Sequence, residues 1–218
     1  MTLYEVQKVF EEDGYYKKKS KNKTKKIRCR YQAKYVNQIW HADVHYLKDS
    51  NFYLYAIIDD RSRFIVGHKI IAEKTCQECT EVLKNAINEY GKPAIIWTDN
   101  GGENIGDYII NYLMTERIYP VTITPGNPQQ NGKIEAFWPK MEDFIRHISE
   151  IDSYIERYNF HKAHMGLEKG PKGNRLRPCD VFCEPSYKWQ KDYEWTWYKY
   201  GKEVPFPVDL EKKKLFYD

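Results

Sequence analysis

Three acidic residues stand in settings that oppose a bare charge. Asp43 lies inside the alternating run Trp40–Leu47 (WHADVHYL), Asp99 follows the apolar run Ala94–Thr98 within TDNGGEN, and Glu135 begins a helical stretch within NPQQNGKIEAFW. A carboxylate drawn partly out of water needs a partner charge or a metal. Carboxylate oxygens are the hard donors that Mg²⁺ takes, usually one or two per ion. Two such ions about 4 Å apart can activate an attacking oxygen and stabilise a leaving oxygen in phosphoryl transfer. A central strand, a neighbouring strand end and a facing helix could supply three carboxylates to such a pair. Each residue also has an ordinary reading. Asp99 precedes Asn100-Gly101 and suits plain turn chemistry, Glu135 could be a solvated helix residue, and Asp43 could pair with His41, His45 or a lysine. His41 and His45 share the strand face of Asp43, which suits hydrogen bonding beside the site or support of a metal's ligands. Cys76-x-x-Cys79 reads as two ordinary helix residues, and Cys179 and Cys183 add nothing that makes a thiolate site.

The elements that must position these groups follow from hydrophobic period. Trp40–Leu47 alternates, Phe52–Ile58 (FYLYAII) is nearly all apolar, and Phe64–Ile71 (FIVGHKII) is again strand-like. Links of about five residues join them, so they are expected as an antiparallel meander. Asp59 and Asp60 open the second link and read as turn residues rather than metal ligands. Thr75 can cap a helix to Tyr90, stopped by Gly91 and Pro93. Ala94–Thr98 reads as a short buried strand, Asn104–Glu116 as a helix, Tyr119–Thr124 as a strand and Pro125–Gln130 as a loop. Asn131–Ser149 and Ile151–Phe160 read as two further helices, with Pro139 forcing a kink or break near Phe137–Trp138. The order β β β α β α β α α predicts an α/β fold with a mixed five-stranded sheet flanked by helices.

The chain has 218 residues, 41% hydrophobic and 16% aromatic, enough for a sizeable core and too aromatic for a disordered protein. No apolar run has the roughly 18 residues of a membrane span, so no membrane partner is expected. No export signal is read at the start, and five cysteines suit reduced thiols better than disulfides. The net charge of +4 is concentrated. Residues 17–30 (KKKSKNKTKKIRCR) hold nine basic residues and no acidic one, so the basicity is an arm. Such a run suits phosphate contact, with Lys17, Lys18, Lys19, Lys25, Lys26, Arg28 and Arg30 as candidates, or is a solvated tail or import signal.

Four motifs in order then carry a resemblance: W-H-A-D-V (Trp40–Val44), I-D-D-R-S-R (Ile58–Arg63), W-T-D-N-G-G-E (Trp97–Glu103) and P-G-N-P-Q-Q-N-G-K-I-E (Pro125–Glu135), with 35 residues between Asp99 and Glu135. A weaker tail, Tyr158-Asn159, His164 and Gly166-Leu167, follows. Over roughly Asn37–Pro178 the chain resembles the catalytic core of retroviral-type integrases and related DDE transposases. The resemblance implies an RNase H-like fold and Mg²⁺ or Mn²⁺, two ions, held by Asp43, Asp99 and Glu135. It implies nicking of an element's DNA end and transfer of the freed 3′-hydroxyl to target DNA. It also implies a homo-oligomer, and location with DNA: the nucleus in a eukaryote, otherwise the cytoplasm. Asn127, Gln130, Asn131, Lys133 and Lys140, around the glutamate, are the expected DNA contacts near the site.

Three regions are expected: residues 1–36 as an amphipathic piece and basic arm, 37–178 as the core, and 179–218 as an aromatic-rich appendage, read as a tail packing on the core or a small β-rich unit. No Cys/His pairs of an N-terminal zinc module are seen. Pro139 and Glu142 occupy places where the family commonly has basic residues. A non-catalytic DNA-binding or scaffold protein derived from a mobile element is therefore the alternative function. A nuclease for RNA–DNA hybrids is a third, disfavoured by the Pro125–Glu135 motif.

Overall fold

A computed structural model describes residues 32–48, 50–123 and 131–183, together with short strands between 196 and 215. The arm at residues 17–30 and the loop at residues 124–130, with Asn127 and Gln130, lie outside the described residues. Three strands form first: β1 (Ile39–Leu47), β2 (Phe52–Asp59) and β3 (Ile65–Ile71). They pair antiparallel in sequence order, as the short links require. After helix α1 (Cys76–Tyr90), strand β4 (Ile95–Thr98) pairs parallel to β1, and β5 (Tyr119–Thr122) parallel to β4. The sheet order is β3-β2-β1-β4-β5, the expected mixed five-stranded sheet.

Both faces of this sheet are covered, which explains why β2 is apolar without alternation. Tyr55 and Ile57 face a core with Trp40, Leu83 and Leu113. Leu54, Ala56 and Ile58 face the opposite core, with Ile134, Phe137, Met141 and Tyr154. β4 is buried along its whole length. β5 is an edge strand, so Pro120 costs no ladder bond on its open side. Helix α1 begins as its sequence dictates: the Thr75 hydroxyl accepts the Glu78 N–H at 3.2 Å, and Gly91 ends the helix at φ 88°. In β3, a Cβ on Gly67 would lie 3.1 Å from Ala86 Cβ and 3.2 Å from Val82 Cγ1. Gly67→Leu is therefore expected to cost about 1–3 kcal/mol by overpacking, read as a lower denaturant midpoint; an unchanged midpoint would mean that α1 yields without cost.

The later helices are more broken than hydrophobic period suggests. Instead of one helix over Asn104–Glu116 there are α2 (Gly102–Ile105) and α3 (Asp107–Thr115), divided at Gly106. The Cys76 side chain packs against Gly106, where a Cβ would collide with its sulfur, and the thiol donates to the Gly102 carbonyl at 3.2 Å. Cys79 is fully buried and its thiol is pushed up to about 12 by burial. The C-x-x-C thus packs as two structural helix residues. The long helix expected over Asn131–Ser149 is split into α4 (Gly132–Glu135) and α5 (Trp138–Glu142), with a turn at Ala136–Phe137. Pro139 falls in the first turn of α5, where its missing N–H is not needed, so the interior penalty does not arise. Helix α6 (Ile151–Glu156) runs on into a π-helical turn (Arg157–His161), and α7 spans Pro178–Phe182. Beyond it, β6 (Thr196–Lys199) pairs with β7 (Lys202–Pro205), and β8 (Val208–Asp209) with β9 (Lys214–Leu215).

Candidate active site

β1 presents His41, Asp43 and His45 on one face, and each meets the segment 131–142. His41 Nδ1 lies 3.2 Å from Asn131 Oδ1, and Asn131 Nδ2 donates to the Ala42 carbonyl at 3.4 Å. The Trp138 indole N–H donates to Asp43 Oδ2 at 2.9 Å. His45 lies 3.1 Å from Glu142 Oε1 and stacks on Trp138 with ring centroids 4.9 Å apart. Two-residue spacing on the strand therefore meets the broken helix pair contact by contact. The break at Ala136–Phe137 is what turns the Trp138 indole toward Asp43.

Asp99 arrives from the neighbouring strand. His41 pairs with Trp97 in the parallel β1–β4 register. Two residues further along each chain stand Asp43, within β1, and Asp99, just past the end of β4. Asp99 Oδ1 accepts from Gly101 N–H at 3.0 Å and Asn104 Nδ2 at 2.8 Å. Glu135 ends α4, which is pinned to the sheet by fully buried Ile134. Burial raises the Asp43 carboxyl to about 6, opposed by the Trp138 hydrogen bond and reinforced by the charges of Asp99 and Glu135. The Glu135 carboxyl is likewise raised, by burial. Asp43 thus lies within electrostatic reach of both Asp99 and Glu135.

Beneath them lies a buried polar cluster that hydrophobic patterning missed. Asp60, read as a turn residue, is fully buried. It accepts from the Ala33 N–H at 2.6 Å, lies 2.7 Å from His41 Nε2 and 3.9 Å from Arg63, and forms an ion pair with Lys133. Burial opposes its ionisation, but Lys133, His41 and Arg63 outweigh this and hold the carboxyl well below the usual range. Asp59 beside it accepts from the Asn37 N–H at 2.8 Å and from the Ser62 N–H and hydroxyl at 2.8 and 2.7 Å, fixing the turn. The only available signal was position: Lys133 stands two residues before Glu135 and thus points opposite to it on the helix.

Two expected DNA contacts are corrected by this cluster. Asn131 is buried and spent on His41 and Ala42, and the Lys133 ammonium is turned inward to Asp60. Lys140 remains exposed on α5. Glu142, at a place where a basic residue was expected by resemblance, accepts from His45 and Lys48.

A divalent ion can be tested against these groups. The donor set is all carboxylate oxygen, which suits a hard cation. Asn104 is buried beside Asp99, and its Oδ1 has no hydrogen-bond partner among the described residues, an acceptor that a hydrated cation's water would satisfy. Among the described residues, no group of three or more His, Cys, Asp or Glu side chains is placed to hold a metal ion. The fit to a hard cation rests on the donor type of the carboxylates and on the unpartnered Asn104 Oδ1.

Comparison with known proteins agrees with this frame. Residues 33–128 match the integrase core domain family. The chain is similar to a putative integrase (ORF3) of Spiroplasma virus SpV1-C74, 28% identical over 185 residues and covering 68% of this chain and 51% of that protein. It spans about half the length of that curated relative. Among solved structures it resembles a chain of the simian T-cell lymphotropic virus intasome in complex with PP2A regulatory subunit B56 gamma, with a TM-score of 0.60, 18% identity and coverage of 77% and 62% of the two chains. It also resembles the HTLV-2 integrase catalytic core domain in complex with magnesium, with a TM-score of 0.52, 20% identity and coverage of 69% and 99%. The fold is thus RNase H-like. Residues 33–128 are similar to an integrase core domain, and the fold is similar to that of retroviral integrase cores.

Proposed function

We propose that this chain acts in DNA integration, by metal-dependent phosphoryl transfer at Asp43, Asp99 and Glu135. What supports this most is the similarity of residues 33–128, which include Asp43 and Asp99, to an integrase core domain, with Glu135 within electrostatic reach of Asp43. The family relation supports use of a divalent ion, since the similar HTLV-2 core binds magnesium. Asp43, Asp99 and Glu135 would hold Mg²⁺ or Mn²⁺, as two ions. When bound, such ions supply activation of the attacking oxygen and charge neutralisation at the phosphate.

The chain's own residues do the positioning. Trp138 fixes the Asp43 carboxylate through its indole N–H. Asn104 Nδ2 and the Gly101 N–H both donate to Asp99 Oδ1 and so hold that carboxylate. The Lys133–Asp60 pair anchors α4 behind Glu135. No Ser, Cys or Tyr nucleophile is required, because water or a DNA 3′-hydroxyl is the attacking group and positioning supplies the catalysis. The substrate would be element-end and target DNA, and the working form a homo-oligomer, as the dimeric and trimeric HTLV-2 cores suggest by analogy.

Calorimetry with Mg²⁺ or Mn²⁺ in the presence of DNA tests the reading, wild type against Glu135→Gln. Binding in the micromolar to millimolar range, weakened by the substitution, is expected. Absence of metal binding with DNA present would leave the non-catalytic DNA-binding alternative.

A further inference from the structure

The segment 161–177 contains five Lys and Arg residues and one acid, Glu168. That acid is spent on Arg61, at 2.6 Å. Lys162, Lys169 and Lys172 are exposed, and none forms an ion pair among the described residues. The backbone that carries them is tied. The His164 N–H donates to the Leu176 carbonyl at 2.9 Å, the Gly170 N–H to Asn174 at 2.8 Å and the Gly173 N–H to Gly170 at 2.9 Å. Gly173 takes φ 75° to close the turn, and Lys169 and Arg175 form a β-bridge across it. The Arg175 guanidinium donates to the carbonyls of Met165 and Leu167, at 3.1 and 3.4 Å, which orients its charge without neutralising it. An open depression of about 580 Å³ is lined by His161, Lys172, Arg175, Arg177 and Asp180. Asp180 is engaged by Arg177 at 2.6 Å.

This positive field reaches the helix pair that carries Glu135. His164, at the base of the hairpin, is drawn down to about 4 by burial first and then by Lys140, Arg63 and Lys162. The Lys140 ammonium is also lowered, by burial first and then by Lys162.

We infer that the hairpin at residues 162–177 is a contact surface for the phosphate backbone of duplex DNA. Repelling cations held on a fixed backbone are stabilised by an evenly spaced polyanion, and a preformed surface loses little entropy on binding. The inference rests on DNA as the substrate of the candidate site.

The test is binding of the full chain to a short fluorescent DNA duplex across a salt series in metal-free buffer, with cleavage of the same duplex assayed separately in Mg²⁺ and in Mn²⁺. The variant replaces Lys162, Lys169 and Lys172 by Gln together. All three side chains are exposed, so its thermal midpoint should match wild type. Loss of three phosphate contacts should weaken binding about tenfold or more at low salt and flatten the slope of log affinity against log salt by about 2.7. The corresponding triple Lys→Arg variant should keep the wild-type slope. An unchanged slope in the Gln variant overturns the inference, as does a slope change seen with RNA duplex and not with DNA. Metal-dependent cleavage alongside an unchanged slope overturns the hairpin's role alone. A flattened slope with no cleavage in either metal overturns the proposed activity and leaves the hairpin's role standing.

Discussion

Asp43→Asn should abolish metal-dependent DNA strand cleavage and transfer, by on the order of 10³-fold or more, while leaving fold and DNA affinity intact. Asp43 sits mid-strand on β1, paired in register with Ala56. An amide is isosteric with the carboxylate, and its oxygen can still accept the Trp138 indole N–H that now reaches Asp43 Oδ2 at 2.9 Å. What disappears is the negative charge, which a hard cation needs and which Asp99 and Glu135 alone would supply less fully. Relieving carboxylate repulsion removes a cost in the metal-free protein, so unfolding is not the expected cause of inactivity. The check is a strand-transfer assay in Mg²⁺ and Mn²⁺ beside circular dichroism and a salt series of DNA binding. Activity equal to wild type would sink the assignment of Asp43.

The largest effect on stability is expected at Asp60. Asp60→Ala leaves Lys133 without its buried counter-charge, takes the hydrogen-bond partner from His41 Nε2 and strands the Ala33 N–H. Breaking one side of a buried pair costs about 3–5 kcal/mol, to be measured by denaturant unfolding. Asp60→Asn combined with Lys133→Met removes both charges and should recover most of that loss, because a buried pair exchanged for neutral groups is often near neutral. If the double variant is as unstable as the single one, the ion pair is not the cause. The Asp60 carboxyl is depressed in the fold, so its stabilisation is complete above the unfolded value of 3.8 and is lost as pH falls below it toward the folded value. Wild type should therefore lose stability steeply below pH 3.8, and the double variant less so. Because Lys133 lies two residues from Glu135, the single variant should also lower activity at temperatures where it remains folded.

Sequence period determined the meander, the capped helix α1 and the buried strand β4, because each rests on contacts local in the chain: alternation, the Thr75 cap and the Gly91 stop. Motif order and spacing carried the resemblance that groups Asp43, Asp99 and Glu135 as the candidate carboxylates. Pro139 announced a break, but only the tertiary structure decided its effect. The break begins a new helix in which Pro139 occupies a permitted position, and it aims Trp138 at Asp43. Hydrophobic period cannot register such a contact, because a Trp indole that packs and one that donates to a carboxylate look alike in sequence. Polar networks were equally hidden. Lys133 and Asn131 read as surface residues from their types, yet each is turned inward by a partner 73 or 90 residues away. Burying a charge is decided by whether another segment brings a counter-charge to meet it, and that meeting exists only once the sheet and helix α4 have packed.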